Sequence, residues 1–212
     1  MTSSPPDDAP SFSFDANHLA LDFANTLGSR QAERPREHLR HYGDLLAWAR
    51  LADLLSPSQA ERLSALAAQH PAAAEQTLAE ARALRETIYR LFVRRASGQE
   101  PAPGDLDALN RALARALAHE RLRPTPKGIA WGWADDDALD RVLWPVARAA
   151  GELLAAAEAT RVRICEAAPC GWLFLDTTRN RSRRWCDMRS CGNRAKARRH
   201  YARSKAGRSG PA

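Results

Sequence analysis

Cys165, Cys170, Cys186 and Cys191 are the only cysteines in this 212-residue sequence, and all four fall in its last quarter. They form two C-x4-C pairs separated by fifteen residues. Thiolates are soft ligands, and two pairs at matched spacing, divided by an insert of hairpin length, are what a tetrahedral four-sulfur zinc site requires. Each pair can close a knuckle loop that offers two sulfurs to one ion. Four thiolates leave no open coordination position, so the ion would be a structural staple. Three readings compete with zinc. Disulfides are opposed by the intracellular character of the chain, an iron–sulfur cluster by a spacing that matches no familiar cluster motif, and unrelated free thiols by the symmetry of the pairs.

The insert predicts its own geometry. "GWLFLD" reads as a strand, "TTRNRS" as a polar turn, and "RRWC" as a returning strand that brings Cys186 beside Cys170. Trp172, Phe174 and Trp185 supply a small apolar patch beneath it. After Cys191, "CGNRAKARRHYARSK" has good helix formers and no breaker before Gly207, yet it is polar on every face. Burial cannot hold such a segment. Metal substitutes for a core, since zinc contributes on the order of 10–16 kcal/mol in small finger peptides.

Charge is divided along the chain. Residues 1–160 carry 18 Lys+Arg and 22 Asp+Glu, whereas residues 161–212 carry 14 and 3, so the body nets −4 and the tail +11. That asymmetry points to a polyanion, with nucleic acid ahead of a membrane surface. Arg outnumbers Lys 29 to 3 over the whole chain, as genome composition would produce, so the information lies in where the charges cluster. Arg179, Arg181, Arg183, Arg184, Arg194, Lys196, Arg198, Arg199 and Arg203 are the candidate phosphate contacts. Asn193, early on the basic helix, can read an adenine edge or brace the knuckle loop. DNA is the expected partner. RNA is the alternative, with Trp172, Trp185 or Tyr201 stacking on unpaired bases.

Stepping upstream, the periodicity is helical. Leu19, Phe23 and Leu27 predict a first helix with Asn17 as cap and Gly28 as stop; Leu39, Tyr42, Leu45, Leu46 and Ala49 predict a second. Ser56, Pro57 and Gln59 have the spacing of a capped helix start, and Pro71 closes that helix. Residues 72–97 predict the longest helix, followed by Gly98. "EPAPGD" reads as a loop before another stripe ending near His119, and two short runs flanking "PTPKG" predict a β-hairpin. The last helix of the body, from Leu139 to Leu154, contains Pro145, which predicts a kink.

These segments together resemble known families. "CEAAPCGWLFLDTTRNRSRRWCDMRSCGNRAKARRHYAR" resembles the CGNR zinc finger, through the C-x4-C-x-W-x-F-x-D pattern, R-R-W-C, and the tetrapeptide Cys191, Gly192, Asn193 and Arg194. "LALDFANTLGSR" and "YGDLLAWA" resemble the ABATE domain that precedes this finger in stress-induced transcription regulators. The resemblance implies a helical-plus-β sensor domain, a zinc-binding finger that contacts DNA, and a regulatory role.

The expected fold is α+β and mainly α. It has a flexible lead over 1–11, a multihelical domain with a small β-hairpin over 12–160, a zinc-stabilised hairpin and helix of treble-clef or ribbon type over 161–205, and a flexible tail over 206–212. Asp22, Asn25 and Thr26 share one face of the first helix and are candidate contacts for a small-molecule effector, although such groups also bond to neighbouring backbone. The six histidines show no catalytic or metal spacing, and there is no phosphate loop or nucleophile elbow, so no enzyme is expected. The polar N-terminus lacks a secretory pattern and no apolar run approaches a membrane span, which predicts a cytoplasmic protein.

Overall fold

The first helix is shorter than the apolar spacing predicts. In the computed structural model, which describes residues 12–208 with side chains through Tyr201, α1 covers only Leu19–Ala24. The lead at 1–11, the side chain of Arg203 and residues 209–212 lie outside the described residues. His18, not Asn17, caps α1, its Nδ1 accepting from Ala20 N at 3.3 Å. Asn17 instead takes a left-handed φ of 59°. Thr26 donates its hydroxyl to Phe23 O at 2.8 Å, closing the last turn, and the chain enters β1 (Leu27–Gly28), paired antiparallel with β2 (Arg36–Glu37).

The next helices follow their start signals closely. α2 (Tyr42–Leu51) begins with a capping box between His41 and Asp44, and α3 (Pro57–Gln69) with the Ser56–Gln59 box legible in the sequence. α4 (Pro71–Ala96) is the longest element, 26 residues, ended by Gly98 at φ 68°. α5 (Pro103–Leu117) starts inside the stretch predicted as a loop, because Pro103 suits a first helical position, where its missing N–H is not needed. β3 (Glu120–Thr125) and β4 (Gly128–Trp133) form the predicted hairpin, Leu122 facing Trp131.

Pro145 does not lie inside a continuous α-helix from Leu139 as predicted. A 3₁₀ turn over Leu139–Val142 precedes α6 (Leu143–Ala155), so the proline falls in the first turn of α6 and breaks no hydrogen bond. The α-helix starts where the proline permits.

Every residue from Ala20 to Ala24 is buried, so α1 must be central. It packs against α4, α6 and the strand β6 (Leu173–Leu175). β6 does not pair with the "RRWC" segment as predicted. Its partner is β5 (Val162–Ile164), with Arg163 opposite Phe174, and residues 181–187 return without regular structure. One reason is visible in the side chains. Arg183 donates to Trp185 O, Asp15 O and Cys186 O, and its backbone N–H goes to Asp176, which leaves no ladder for a strand. α7 (Asn193–Arg208) closes the described chain. One hydrophobic core runs through both parts, from Trp48, Phe23 and Phe92 to Phe174, Leu173 and the four cysteines.

Candidate metal centre and basic face

The first cysteine pair sits on the loop joining β5 to β6. Cys165 N donates to Trp172 O at 2.7 Å, and Cys170 N donates to Ala167 O at 2.7 Å, which folds the knuckle. Gly171 must be glycine here. Its φ is 66°, and a Cβ would stand 2.9 Å from Gln31 Cγ. Cys186 ends the irregular return, and Cys191 lies in a π-type turn over Met188–Gly192 that leads into α7.

The four Sγ atoms lie within 4.8 Å of one another, with Cys170–Cys186 and Cys186–Cys191 both at 3.6 Å. Sulfurs about 2.3 Å from a tetrahedral zinc ion stand about 3.8 Å apart. The set therefore fits one ion. A disulfide needs about 2.05 Å, and cluster-bound thiolates are spread over separate irons. All four side chains are buried. Thiols packed this closely ionise unevenly: S–H bonds from Cys170 and Cys186 hold Cys165 low, the contact with Cys165 pushes Cys170 up, and the contacts with both push Cys186 far upward. A divalent cation among such sulfurs lets the set ionise together.

Each residue of the C-G-N-R tetrapeptide has a local task. A Cβ at Gly192 would run into Met188 Sδ. Asn193 Nδ2 donates to Arg189 O at 2.9 Å, bracing the turn, and Arg194 Nη2 lies 3.1 Å from Cys191 Sγ. Arg194 thus neutralises sulfur charge and orients a ligand residue. Asp187 starts the turn by accepting from Ser190 N at 2.7 Å.

The helical domain grips this knuckle by its backbone. Arg30 N and Gln31 N donate to Cys170 O and Pro169 O at 2.9 and 3.0 Å, Tyr89 hydroxyl to Gly171 O at 2.9 Å, and Trp172 Nε1 to Leu27 O at 2.9 Å. Asn25 holds Leu173 by both its amide atoms. The loop supplying Arg30 is itself anchored. Arg85, buried on α4, meets Glu37 through two bonds of 2.6 and 2.7 Å and Glu86 at 2.8 Å, and Glu86 accepts from Arg30 at 2.9 Å.

Asp22, Asn25 and Thr26 are buried and hydrogen-bonded to backbone: Asp22 accepts from Ala16 N at 2.9 Å, Thr26 reaches Phe23 O, and Asn25 clamps Leu173. They also border a narrow crevice with His38, Trp48 and Trp172. Burial raises the Asp22 carboxyl to about 7, against the bond from Ala16 N.

The basic residues divide into two groups. Arg183 is held by backbone carbonyls and lies 4.6 Å over Phe174, Arg184 pairs with Glu166, and Arg198 donates to Ala168 O at 2.6 Å. Arg199 stacks loosely on Trp185, 5.9 Å away. Arg179, Arg181 and Lys196 are exposed, with no side-chain partner among the described residues. Sequence reasoning missed Asp176, the organiser of the turn. Fully buried, it accepts from Thr178 N and Oγ1 and from Arg183 N. Burial opposes its charge, but these donors hold its pKa below the usual carboxylate range. The W-x-F-x-D pattern contained it; only the tertiary contacts give its role.

Fold and site together define a mainly helical protein with a four-cysteine finger. The chain matches the ABATE family, described as "Putative stress-induced transcription regulator", over residues 17–157, and the CGNR zinc finger over residues 161–204. It belongs to the ABATE family and carries a CGNR finger whose four-cysteine cluster fits zinc. Both families are of regulator and zinc-finger type, not enzyme type. No match was found among curated proteins. No helix among the described residues is long and apolar enough to cross a membrane.

Proposed function

We propose that the protein is a cytoplasmic, DNA-binding transcription regulator, with Cys165, Cys170, Cys186 and Cys191 holding one zinc ion. Bound zinc supplies a fixed tetrahedral junction between the knuckle and the start of α7. The chain's own residues then present α7 and the 177–182 turn as a basic face, where Arg179, Arg181, Lys196 and Arg199, with Arg203 further along the helix, neutralise phosphates. Arg183, Arg184, Asn193, Arg194 and Arg198 support that face through their contacts to the finger. The helical domain, rigidly joined to the knuckle, is the effector-responsive part.

The observation that carries this reading is the concentration of charge: +11 on residues 161–212 against −4 before them, beside a buried four-sulfur centre. RNA is a second reading, supported by Tyr201, which is 81% exposed and free to stack on a base. Competition between duplex DNA and structured RNA for the zinc-loaded protein separates the two. Preferential displacement by duplex supports the regulator; preferential displacement by RNA supports the alternative; binding of neither rejects both.

A further inference from the structure

Between β2 and the start of α7 lies a cleft of about 250 Å³, open to solvent and bordering the metal centre. Cys170, Cys186 and Cys191 line it and Cys165 does not, so the cleft lies outside the sulfur tetrahedron. Phe12 and Trp172 give it apolar surface, while Arg36, His38 and Arg194 give it hydrogen-bond donors. No carboxylate lines it among the described residues. A narrower crevice continues inward, sharing Phe12, Ser13, His38 and Trp172 with the cleft and adding Trp48 and Asp22.

The His38 ring borders the cleft and makes no hydrogen bond among the described residues. Trp48 Nε1, beside the closed crevice, is buried and unpaired. A ring nitrogen left open on a cleft is available to a bound molecule. Room for the His38 ring is made by Gly28, where a Cβ would stand 2.9 Å from Nε2. At the rim, Arg36 is exposed and has no ion pair or hydrogen bond among the described residues. Arg194 is already engaged by Cys191 Sγ, which leaves Arg36 for an anion.

We propose that this cleft binds a small organic anion, a carboxylate or a phosphate ester. Its oxyanion sits on Arg36 and Ser29, its apolar body lies between Phe12 and Trp172, and His38 meets its inner end. The volume suits a metabolite of modest size. Ligand bound here touches β2 of the helical domain in a cleft that Arg194, in the first turn of α7, also lines, so occupancy bears on the basic face. The proposal deepens the effector-responsive part of the regulator reading and names its site.

Calorimetric titration of the zinc-loaded full chain, without DNA, tests it with benzoate, phenyl phosphate and the uncharged benzyl alcohol. Saturable binding of at least one anion and none of the alcohol is expected, the tighter anion identifying the head group. Arg36→Gln, at an exposed position that leaves folding and zinc content unchanged, should weaken binding about tenfold through loss of a charge-assisted pair. Arg179→Gln, outside the cleft, should leave it unaltered. No anion binding at millimolar concentration, equal binding of the alcohol, or equal effects of the two variants would overturn the proposal. Because DNA is absent from this titration, its failure leaves the DNA reading standing, and failure of DNA binding leaves this site standing.

Discussion

Asn25 and Leu173 are joined by two hydrogen bonds: Asn25 Nδ2 donates to Leu173 O at 2.8 Å, and Leu173 N donates to Asn25 Oδ1 at 3.0 Å. The side chain completes β6 as a neighbouring strand would, and it does so from the helix at the centre of the body. Asp in its place would point a carboxylate at a buried carbonyl. Asn25→Asp should destabilise the protein by about 2–4 kcal/mol, measured by denaturant unfolding at neutral pH. A loss under about 0.5 kcal/mol would show that the clamp is not a structural joint.

Metal removal should be felt by the whole chain. The finger and the helical body share one core, so chelation is expected to lower a single melting transition, followed by helical circular dichroism, by on the order of 10 °C or more. A helical melt unchanged by chelator would mean that the two parts fold independently.

The Arg85–Glu37 pair anchors the loop that grips the knuckle. Glu37→Gln leaves the buried Arg85 guanidinium with Glu86 as its remaining carboxylate and should cost about 2–3 kcal/mol. Unfolding curves of the variant and the parent, taken with zinc in excess, check this.

Asp22 gives a pH signature. Its folded carboxyl titrates near 7, chiefly because of burial, against 3.8 in the unfolded chain. The folded state therefore holds a proton that the unfolded state has released between those values, so stability falls as pH rises from about 4 to about 7 and is level above. Asn keeps the acceptor for Ala16 N and cannot ionise. The advantage of Asp22→Asn over the parent should grow by about 2 kcal/mol between about pH 5.5 and about pH 8. An advantage independent of pH would contradict the burial argument.

Arg194 and Lys196 are two residues apart and should behave differently. Arg194 touches Cys191 Sγ, so Arg194→Gln should weaken zinc retention about 10–100-fold in chelator competition. Lys196 has no partner among the described residues, so Lys196→Gln should keep zinc and reduce the salt slope of DNA binding by about one.

Much of this was legible from residue types. Cysteine spacing gave the metal site because four sulfurs leave few alternatives, and helix starts such as Ser56–Gln59 carry their own chemistry. What was hidden depended on partners distant in sequence. Nothing in "GWLFLD" says that it pairs with residues 162–164 before the first cysteine, because either neighbour satisfies a short apolar strand. The long first helix failed for the same reason: Asn25 and Thr26 fit a helical pattern, but their side chains are claimed by backbone that only the folded chain brings near. Pro145, expected to kink a helix over 139–154, falls in the first turn of α6, which starts at Leu143.

The central claim is that a zinc-fixed basic face meets the phosphate backbone. Its most direct test is equilibrium binding of the zinc-loaded protein to duplex DNA, by fluorescence anisotropy, across a range of salt. With about five phosphates neutralised, log affinity should fall against log salt with a slope of about −4.5. Affinity that does not change with salt, or no binding at low salt, would contradict the account.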